Sequence, residues 1–509
     1  MSAKIKRGDH ILVLGGGHNG LAAASMLAKS GRKVTVLEAN PVLGGLAASH
    51  EFHPGYHMPG VYEDTSLVRP WVLESLDIKL ARKPRATIVM PSRGQSEGEI
   101  RLAPDTKDGL SGAVSTADKN AWDDFRTQVD ALKPALLGLL DRAPLSSEDS
   151  IWTLGRAAWS VRKLGKKAMM DLVRVGPMCV ADFLRDVFPT EHLRAGLSYG
   201  ALEGTFTGPW SAHTAVLLLL REVMSAGRIE GGSPALITAL EATAKRHGVT
   251  LRTGAKVDRI LVAGDGVRGV RLASGEEILA DTVLSTLDPK ATFLKLIGPP
   301  WLPLEVADGA RVYRMRGATA LALLGLNGPL TTHAGTAVEA LRTGETLDEV
   351  EKAFDAAKYR RFALAPALSV TVPSMSDATL APPGHHVAVV RVHAASYDLE
   401  GGWTESAKAA CLEATLGQLA AYCPRVRDQV TTMQLITPVD LETRFGLHGG
   451  HLLHGELAPD QLLSFRPSLA TGRYATPIAG LFIGGGASHP GGGLTAGPGA
   501  LAAKAVLSA

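Results

Sequence analysis

The sequence predicts an α/β protein whose parallel sheet begins within the first forty residues and is completed near the C-terminus. Three observations carry this expectation: an apolar run that stops in a glycine cluster, a stretch rich in Ala and Leu closed by glycine, and a second apolar run that ends on an acid. His10–Leu14 (HILVL) is apolar without alternation, as in a strand covered on both faces, and it stops at Gly15-Gly16-Gly17. Asn19–Ser30 reads as a helix, with Gly31 in the C′ position, where left-handed backbone is common. Lys33–Leu37 (KVTVL) reads as the second strand and leads into Glu38. Strand, helix and strand in this order form a right-handed βαβ unit.

The rest of the chain continues the pattern less regularly. Asp105–Phe188 is mostly helical in character, and Gly231–His247 reads as another helix. Short strands are expected at Val249–Arg252, Val257–Val262, Val267–Leu272, Glu277–Leu279 and Thr282–Thr286. Beyond residue 300, strands are expected near Ala318–Leu326, Leu368–Val372 and Val387–His393, with helices near Thr346–Ala357 and Glu405–Ala421. A buried strand at Leu481–Ile483 and a helix at Ala500–Leu507 close the chain. At 509 residues it exceeds one simple core, so two domains are expected.

Composition narrows the function. A net charge of +3 and low aromatic content argue against nucleic acid as a partner. Cys179, Cys411 and Cys423 form neither a CxxC pair nor a metal-ligand spacing, which suits a reducing compartment and leaves no dithiol centre. Met1–Arg7 is basic, with no apolar core of a secretory signal, and the densest apolar run, Ala215–Leu220, is far short of the roughly 20 residues that span a bilayer. A cytoplasmic protein is expected. Residues 152–172 raise a second possibility, peripheral contact with a membrane. Arg156, Arg162, Lys163, Lys166 and Lys167 occur there among Leu154, Ala158, Val161, Gly165, Ala168 and Leu172 at helical spacing, beside Trp152 and Trp159. A solvated basic face is the competing reading.

Gly15-Gly16-Gly17-His18-Asn19-Gly20 fits GxGxxG between a strand and a helix, and Glu38 follows at the expected distance of about 20 residues. In this Rossmann-type setting Gly15 allows the tight turn, Gly17 admits a pyrophosphate, and Gly20 lets helix and strand approach. The helix start, Asn19 included, offers free N–H groups and a partial positive charge. Glu38 can accept hydrogen bonds from ribose hydroxyls.

The segment from Glu38 to Gly44-Gly45 extends this fingerprint with a glycine doublet. That E-x6-GG pattern resembles the glutathione-reductase-like FAD proteins of the amine oxidase and phytoene desaturase group. The C-terminal stretch Gly480–Leu494 (GLFIGGGASHPGGGL) resembles the closing motif of phytoene and carotenoid desaturases. Phe293–Val306, Leu380–His386, Thr437–Gly446, His454-Gly455 and Arg466-Pro467 are similar to the branch of pyridine nucleotide-disulphide oxidoreductase domain-containing protein 2. The resemblance runs from Asp9 to the end. It implies FAD as cofactor, with Gly486, Gly492, Gly493 and Leu494 delivering backbone to the flavin and the backbone of Val257 meeting the adenine. It also implies an FAD domain assembled from residues 1–75, 228–300 and 470–509, with an α+β substrate domain from 76–227 and 301–469. Two departures bear on the substrate: Leu494-Thr495-Ala496-Gly497-Pro498 after HPGGG, and Ser233 where relatives commonly carry Met.

A bound flavin performs the redox step, so an apolar tunnel and few charged catalytic groups are expected. His489 is the candidate catalytic residue; shaping the turn before Pro490 is its other reading. His448, His451 and His454 read as loop histidines and not as metal ligands. His50, His53 and His57 read the same way, although Tyr56 and His57 follow the glycine doublet and are placed to line a path to the flavin; Arg444 reads as a buried anchor. The function expected is FAD-dependent dehydrogenation of CH–CH bonds in an apolar polyene or lipid-like substrate, with oxygen or a quinone as electron acceptor. Amine oxidation, double-bond isomerisation or saturation, and a flavin-binding regulatory protein with little turnover are the alternatives.

Overall fold

The computed structural model describes residues 10–509 apart from 147–148; between 151 and 164 it describes only Trp152, Gly155, Trp159 and Arg162, and the side chains of Lys167 and Ala168 are outside the description. Arg156, Lys163, Leu154, Ala158, Val161 and the Lys167 and Ala168 side chains, named above for a membrane-facing helix, therefore lie outside the described residues.

Two strands and a helix from the start of the chain begin the first layer. β1 (His10–Leu14) pairs in parallel with β2 (Lys33–Leu37), and α1 (His18–Lys29) crosses between them. On its other side β1 pairs in parallel with Thr282–Ser285, which pairs with Leu481–Ile483; Thr250–Arg252 pairs with β2 at the opposite edge. This five-stranded parallel sheet buries Ile11, Val13, Val34 and Val36 against α1, the Gly232–Arg246 helix and the Gly497–Ser508 helix. Leu12, Leu14 and Val283 face the antiparallel strands Val257–Ala263, Gly266–Leu272 and Glu277–Leu279. Continuous apolar strands suit a sheet covered on both sides. The closing helix begins at Gly497, ahead of its expected start, because Pro498 in its first turn is pre-set for helical φ and has no N–H to leave unpaired.

A second sheet has eight strands: Val430–Ile436, Thr319–Leu326, His386–His393, Leu368–Thr371, Ala340–Arg342, Ile88–Met90, Ile100–Leu102 and Leu110–Gly112, in that order. All pairings are antiparallel except Ala340–Arg342 with Ile88–Met90. One face packs on Cys411, Leu416 and Leu419 of the Glu405–Ala420 helix, and the other receives Tyr56, Met58 and Val61. The helices Thr116–Leu140, Val180–Val187, Glu191–Leu202 and Thr214–Met224 form a separate core around Trp122, Phe125 and Phe183. Among the described residues no helix is long and apolar enough to cross a membrane.

Three placements differ from expectation. Tyr56 does not open a path; its hydroxyl is bonded to His385 Nδ1 (2.6 Å) and Thr431 Oγ1 (3.0 Å), tying a short hairpin to the large sheet. His57 is only half-buried and faces Glu51 at 3.9 Å. Arg444 is exposed: the Pro438–Phe445 helix buries Pro438 and Leu441, leaving the guanidinium on the Phe445 ring at the carbonyl end of the helix, where a cation is favoured. Cys179, Cys411 and Cys423 are buried free thiols, and burial pushes the thiols of Cys411 and Cys423 up to about 12, which leaves those two unreactive.

Candidate active site

The loop after β1 is closed by contacts that only glycine permits. Gly15 sits at φ +101°, and a Cβ on Gly20 would lie 1.9 Å from the Gly15 carbonyl oxygen. Gly17 is different: a Cβ there would meet nothing closer than 3.9 Å, so the chain itself leaves that side open. Glu38 is buried and accepts from the Gly16 N–H (2.7 Å) and the Asn40 N–H (2.8 Å), which fixes its carboxylate at the end of β2. The glycine doublet closes the opposite wall: the Gly44 N–H donates to the Gly16 carbonyl (2.9 Å), and Gly45 lies against Gly17. Asn19 is buried, with its Oδ1 accepting from the Gly499 N–H at 3.4 Å. It thus joins the starts of α1 and the closing helix.

The C-terminal glycine segment returns to the same place. His18 Nε2 is 3.1 Å from the Gly493 carbonyl oxygen, bringing together positions 475 residues apart. Gly493 lies beside Leu67 and Tyr62, Gly492 against the Leu453 carbonyl, and Gly486 against the His454 ring; Leu494 is buried. Arg466, fully buried, donates to the carbonyls of Leu453, Gly455, Glu456, Gln461 and Gly486 at 3.0–3.4 Å, pinning this segment to the loop before it. Val257 begins its strand just after Gly254 and Ala255 donate to the carbonyls of Asn40 and Glu38 (2.9 and 2.8 Å), so its backbone adjoins the end of β2.

These residues fit a dinucleotide. Neither α1 nor the closing helix carries an acid in its first turn or a side-chain cap, so two positive helix ends meet at the glycine wall. The Gly17 side is open to a pyrophosphate, and Glu38 keeps lone pairs for ribose hydroxyls. Burial, with His454 adjacent, holds His18 down to about 4, so the cleft carries no histidinium at neutral pH.

His489 is fully buried beneath the last turn of the Thr116–Leu140 helix. Its ring nitrogens approach the carbonyls of Leu139, Leu140 and Arg142 without completing a hydrogen bond, and burial pushes it down to about 4. Its own carbonyl accepts from the Tyr474 hydroxyl at 3.1 Å. It does not line the cavity described next. His451 is buried too, with Nδ1 accepting from the Leu453 and Gly455 N–H groups, and it is held down to about 3 by burial.

A cavity of about 280 Å³ opens between the helical core and the eight-stranded sheet, reaching Pro59–Thr65. Ile88, Leu102, Trp122, Phe125, Leu197 and Leu218 form an apolar wall. Charged side chains share this lining, contrary to the tunnel with few charged groups that the sequence suggested. Arg221 pairs with Asp64 (2.8 Å) and Glu203, and Arg85 with Glu222 (2.7 Å), which Arg126 also meets (2.8 Å). These arginines hold Asp64 below the usual carboxylate range and Glu222 down to about 2 against the opposing effect of burial. Tyr62 links the cavity to the glycine segment: its ring lies beside Gly493, and the Arg391 guanidinium is 5.8 Å from its centroid.

The profile of flavin containing amine oxidoreductases matches residues 162–503, and that of the NAD(P)-binding Rossmann-like domain matches residues 13–63. The chain belongs to the flavin containing amine oxidoreductase family. Its cofactor is FAD, and it is an oxidoreductase. It is 29% identical to pyridine nucleotide-disulfide oxidoreductase domain-containing protein 2 of Rattus norvegicus over 97% of this chain and 93% of that protein. It is 28% identical to phytoene desaturase (lycopene-forming) of Pseudescherichia vulneris over 66% of this chain and 68% of the enzyme. Cyclohexylamine oxidase of Brevibacterium oxydans IH-35A shares the fold, with a TM-score of 0.59, 16% identity and coverage of 98% and 99%.

Two expected results arise here. Glu38→Gln replaces one acceptor oxygen with an amide NH2, so either the Gly16 or the Asn40 N–H loses its partner and the ribose loses an anionic acceptor. FAD retention, followed by equilibrium dialysis, falls by about 10- to 100-fold with the fold intact. The second concerns acid. His451 and His489 have folded-state values near 3 and 4, below the unfolded 6.5, so the unfolded chain takes up their protons first as pH falls. Their contribution is complete above pH 6.5 and is lost between there and their folded values, on the order of 3 kcal/mol per histidine. The thermal midpoint is therefore level from pH 7 to 8 and falls steeply below pH 6.5; a midpoint unchanged down to pH 5 would contradict this.

Proposed function

We propose that this flavin oxidoreductase dehydrogenates a CH–CH bond of a long, apolar, lipid-like substrate. The observation that supports this best is the apolar wall of Ile88, Leu102, Trp122, Phe125, Leu197 and Leu218, in a cavity that Tyr62 joins to the glycine segment. Such a wall holds a chain by burial, at about 0.8 kcal/mol per methylene, and excludes water. When bound, the flavin would supply the acceptor for the hydride leaving one carbon, and the neighbouring carbon would give up its proton to solvent as the double bond forms between them. Oxygen or a quinone would reoxidise it. In this reading residues 1–75, 228–300 and 470–509 hold FAD, and residues 76–227 and 301–469 hold the substrate.

Supply of a lipid-like substrate fits a peripheral membrane contact. Trp152, Trp159, Met170 and Val173 are exposed in the same stretch as exposed Arg162 and Lys166. Changing Lys166 and Lys167 to Glu is expected to abolish flotation with anionic liposomes; equal flotation would sink the contact. The reaction itself is read by anaerobic bleaching of the flavin with polyenes, acyl lipids and amines. Bleaching by a polyene or acyl chain with a product two mass units lighter is the expected result. Bleaching only by amines would make it an amine oxidase, an unchanged product mass an isomerase, and no bleaching by any of them a regulatory flavoprotein.

A further inference from the structure

Most charges that line the cavity are paired: Arg221 with Asp64 and Glu203, Arg85 with Glu222, Lys83 with Glu230, and Arg228 with Glu339. Two arginines stand apart. Arg342 makes no ion pair among the described residues. Its Nη1 donates to the Gly196 carbonyl (2.7 Å), and its guanidinium lies 5.8 Å from the Tyr199 ring centroid. Arg391 has a side chain only 8% exposed and meets Glu63 through Nη1 at 3.3 Å, while its Nε and Nη2 are buried with no hydrogen-bond partner.

The sheet brings the two together. Arg342 is opposite Ser369 across one strand pair, and Ser369 is opposite Arg391 across the next. The three side chains therefore form one row on the cavity face, with the arginine Cα atoms roughly 10 Å apart and a hydroxyl between them. His393 bonds Ser369 Oγ through Nε2 (2.8 Å). Buried guanidinium donors left unmet are costly, and their planar fork matches an oxyanion. The row and the apolar wall line the same cavity, and Ile88 and Leu102 of that wall belong to the same sheet as the row.

We infer that Arg342, Ser369 and Arg391 anchor the anionic head, carboxylate or phosphate, of an amphipathic substrate whose chain lies on the Trp122–Phe125 wall. This rests on the lipid-like reading above and adds the head group to it. An unmet Glu63 Oε2 lies beside Arg391, so an α-amino acid, with ammonium on Glu63 and carboxylate on Arg391, is the rival occupant that the test must separate.

The test uses the flavin-loaded protein and binding alone. A fluorescent conjugated C18 tetraene fatty acid and its methyl ester are titrated at pH 7.5. The acid is expected to bind about 10- to 100-fold more tightly than the ester, the worth of hydrogen bonds to a charged group. Arg342→Met should bring the acid down to the ester, with ester affinity unchanged, and Arg342→Lys should restore part of the preference. Displacement by hexadecyl phosphate in place of palmitate would assign the head as phosphate and support the anchor. Equal binding of acid and ester to the unsubstituted protein, or tighter binding of a long-chain α-amino acid than of the fatty acid, would overturn it. The acid–ester comparison decides even if Arg342→Met fails to fold. Tight acid binding without bleaching would keep the anchor and remove the dehydrogenase reading; bleaching by acid and ester at equal affinity would do the reverse.

Discussion

Arg466→Met is expected to yield protein that is either insoluble or free of flavin. The guanidinium is fully buried and meets five backbone carbonyls, from Leu453, Gly455, Glu456, Gln461 and Gly486, with no carboxylate among them. Burial lowers its basicity, so the carbonyl dipoles compensate a charge that water would hold better. Methionine fills much of the space but donates nothing. The Glu456 carbonyl keeps the Gln461 Nε2 donor, and each of the other four left without a partner costs about 1–3 kcal/mol, so the sum is comparable with the whole stability of a typical domain. Arg466→Lys should rescue little, because three ammonium donors on a flexible stem cannot reproduce a planar fork directed at five acceptors. Flavin absorbance per polypeptide and the thermal midpoint measure both variants. Arg466→Met with full flavin content and an unchanged midpoint would show that the glycine segment needs no such pin.

Arg466 also marks the boundary of what could be read beforehand. In the sequence it is one residue of an Arg-Pro pair marked only by family likeness, since no local pattern tells that five carbonyls from three separate turns will converge on it. The nucleotide half was legible because its parts are local. β1, the glycine loop, α1, β2 and Glu38 lie within one βαβ unit, where period and spacing carry the geometry. The cavity was not. Asp64, Glu203, Arg221, Arg342 and Arg391 come from five separated segments and meet only through the large sheet and the helices packed beside it. A weak signal existed in Arg391, a lone charge inside the apolar strand His386–His393, and in Arg221-Glu222 directly after four leucines. A charge in such a run is buried with a partner or faces a cavity. The strands Ile88–Met90, Ile100–Leu102, Leu110–Gly112 and Ala340–Arg342 leave no trace in the sequence pattern because three residues carry too little period.

The second large effect separates the cofactor from the fold at two glycines of one loop. A Cβ at position 20 would overlap the Gly15 carbonyl oxygen at 1.9 Å, inside the contact between α1 and β1, where backbone cannot yield cheaply. Gly20→Ala should therefore lose both flavin and stability, by about 3 kcal/mol or more, since helix and strand must part. Gly17→Ala meets nothing within 3.9 Å in the protein chain, so its fold and thermal midpoint without cofactor should match the parent. Its methyl would instead occupy the open side of the loop between two acid-free helix starts, where the pyrophosphate must approach. Loss of FAD with an unchanged apo-protein midpoint in Gly17→Ala, against loss of both in Gly20→Ala, is the expected pair of results. Full flavin retention by Gly17→Ala would place the pyrophosphate elsewhere on the glycine wall, and an unaffected Gly20→Ala would mean that α1 and β1 are not held at the separation this packing requires.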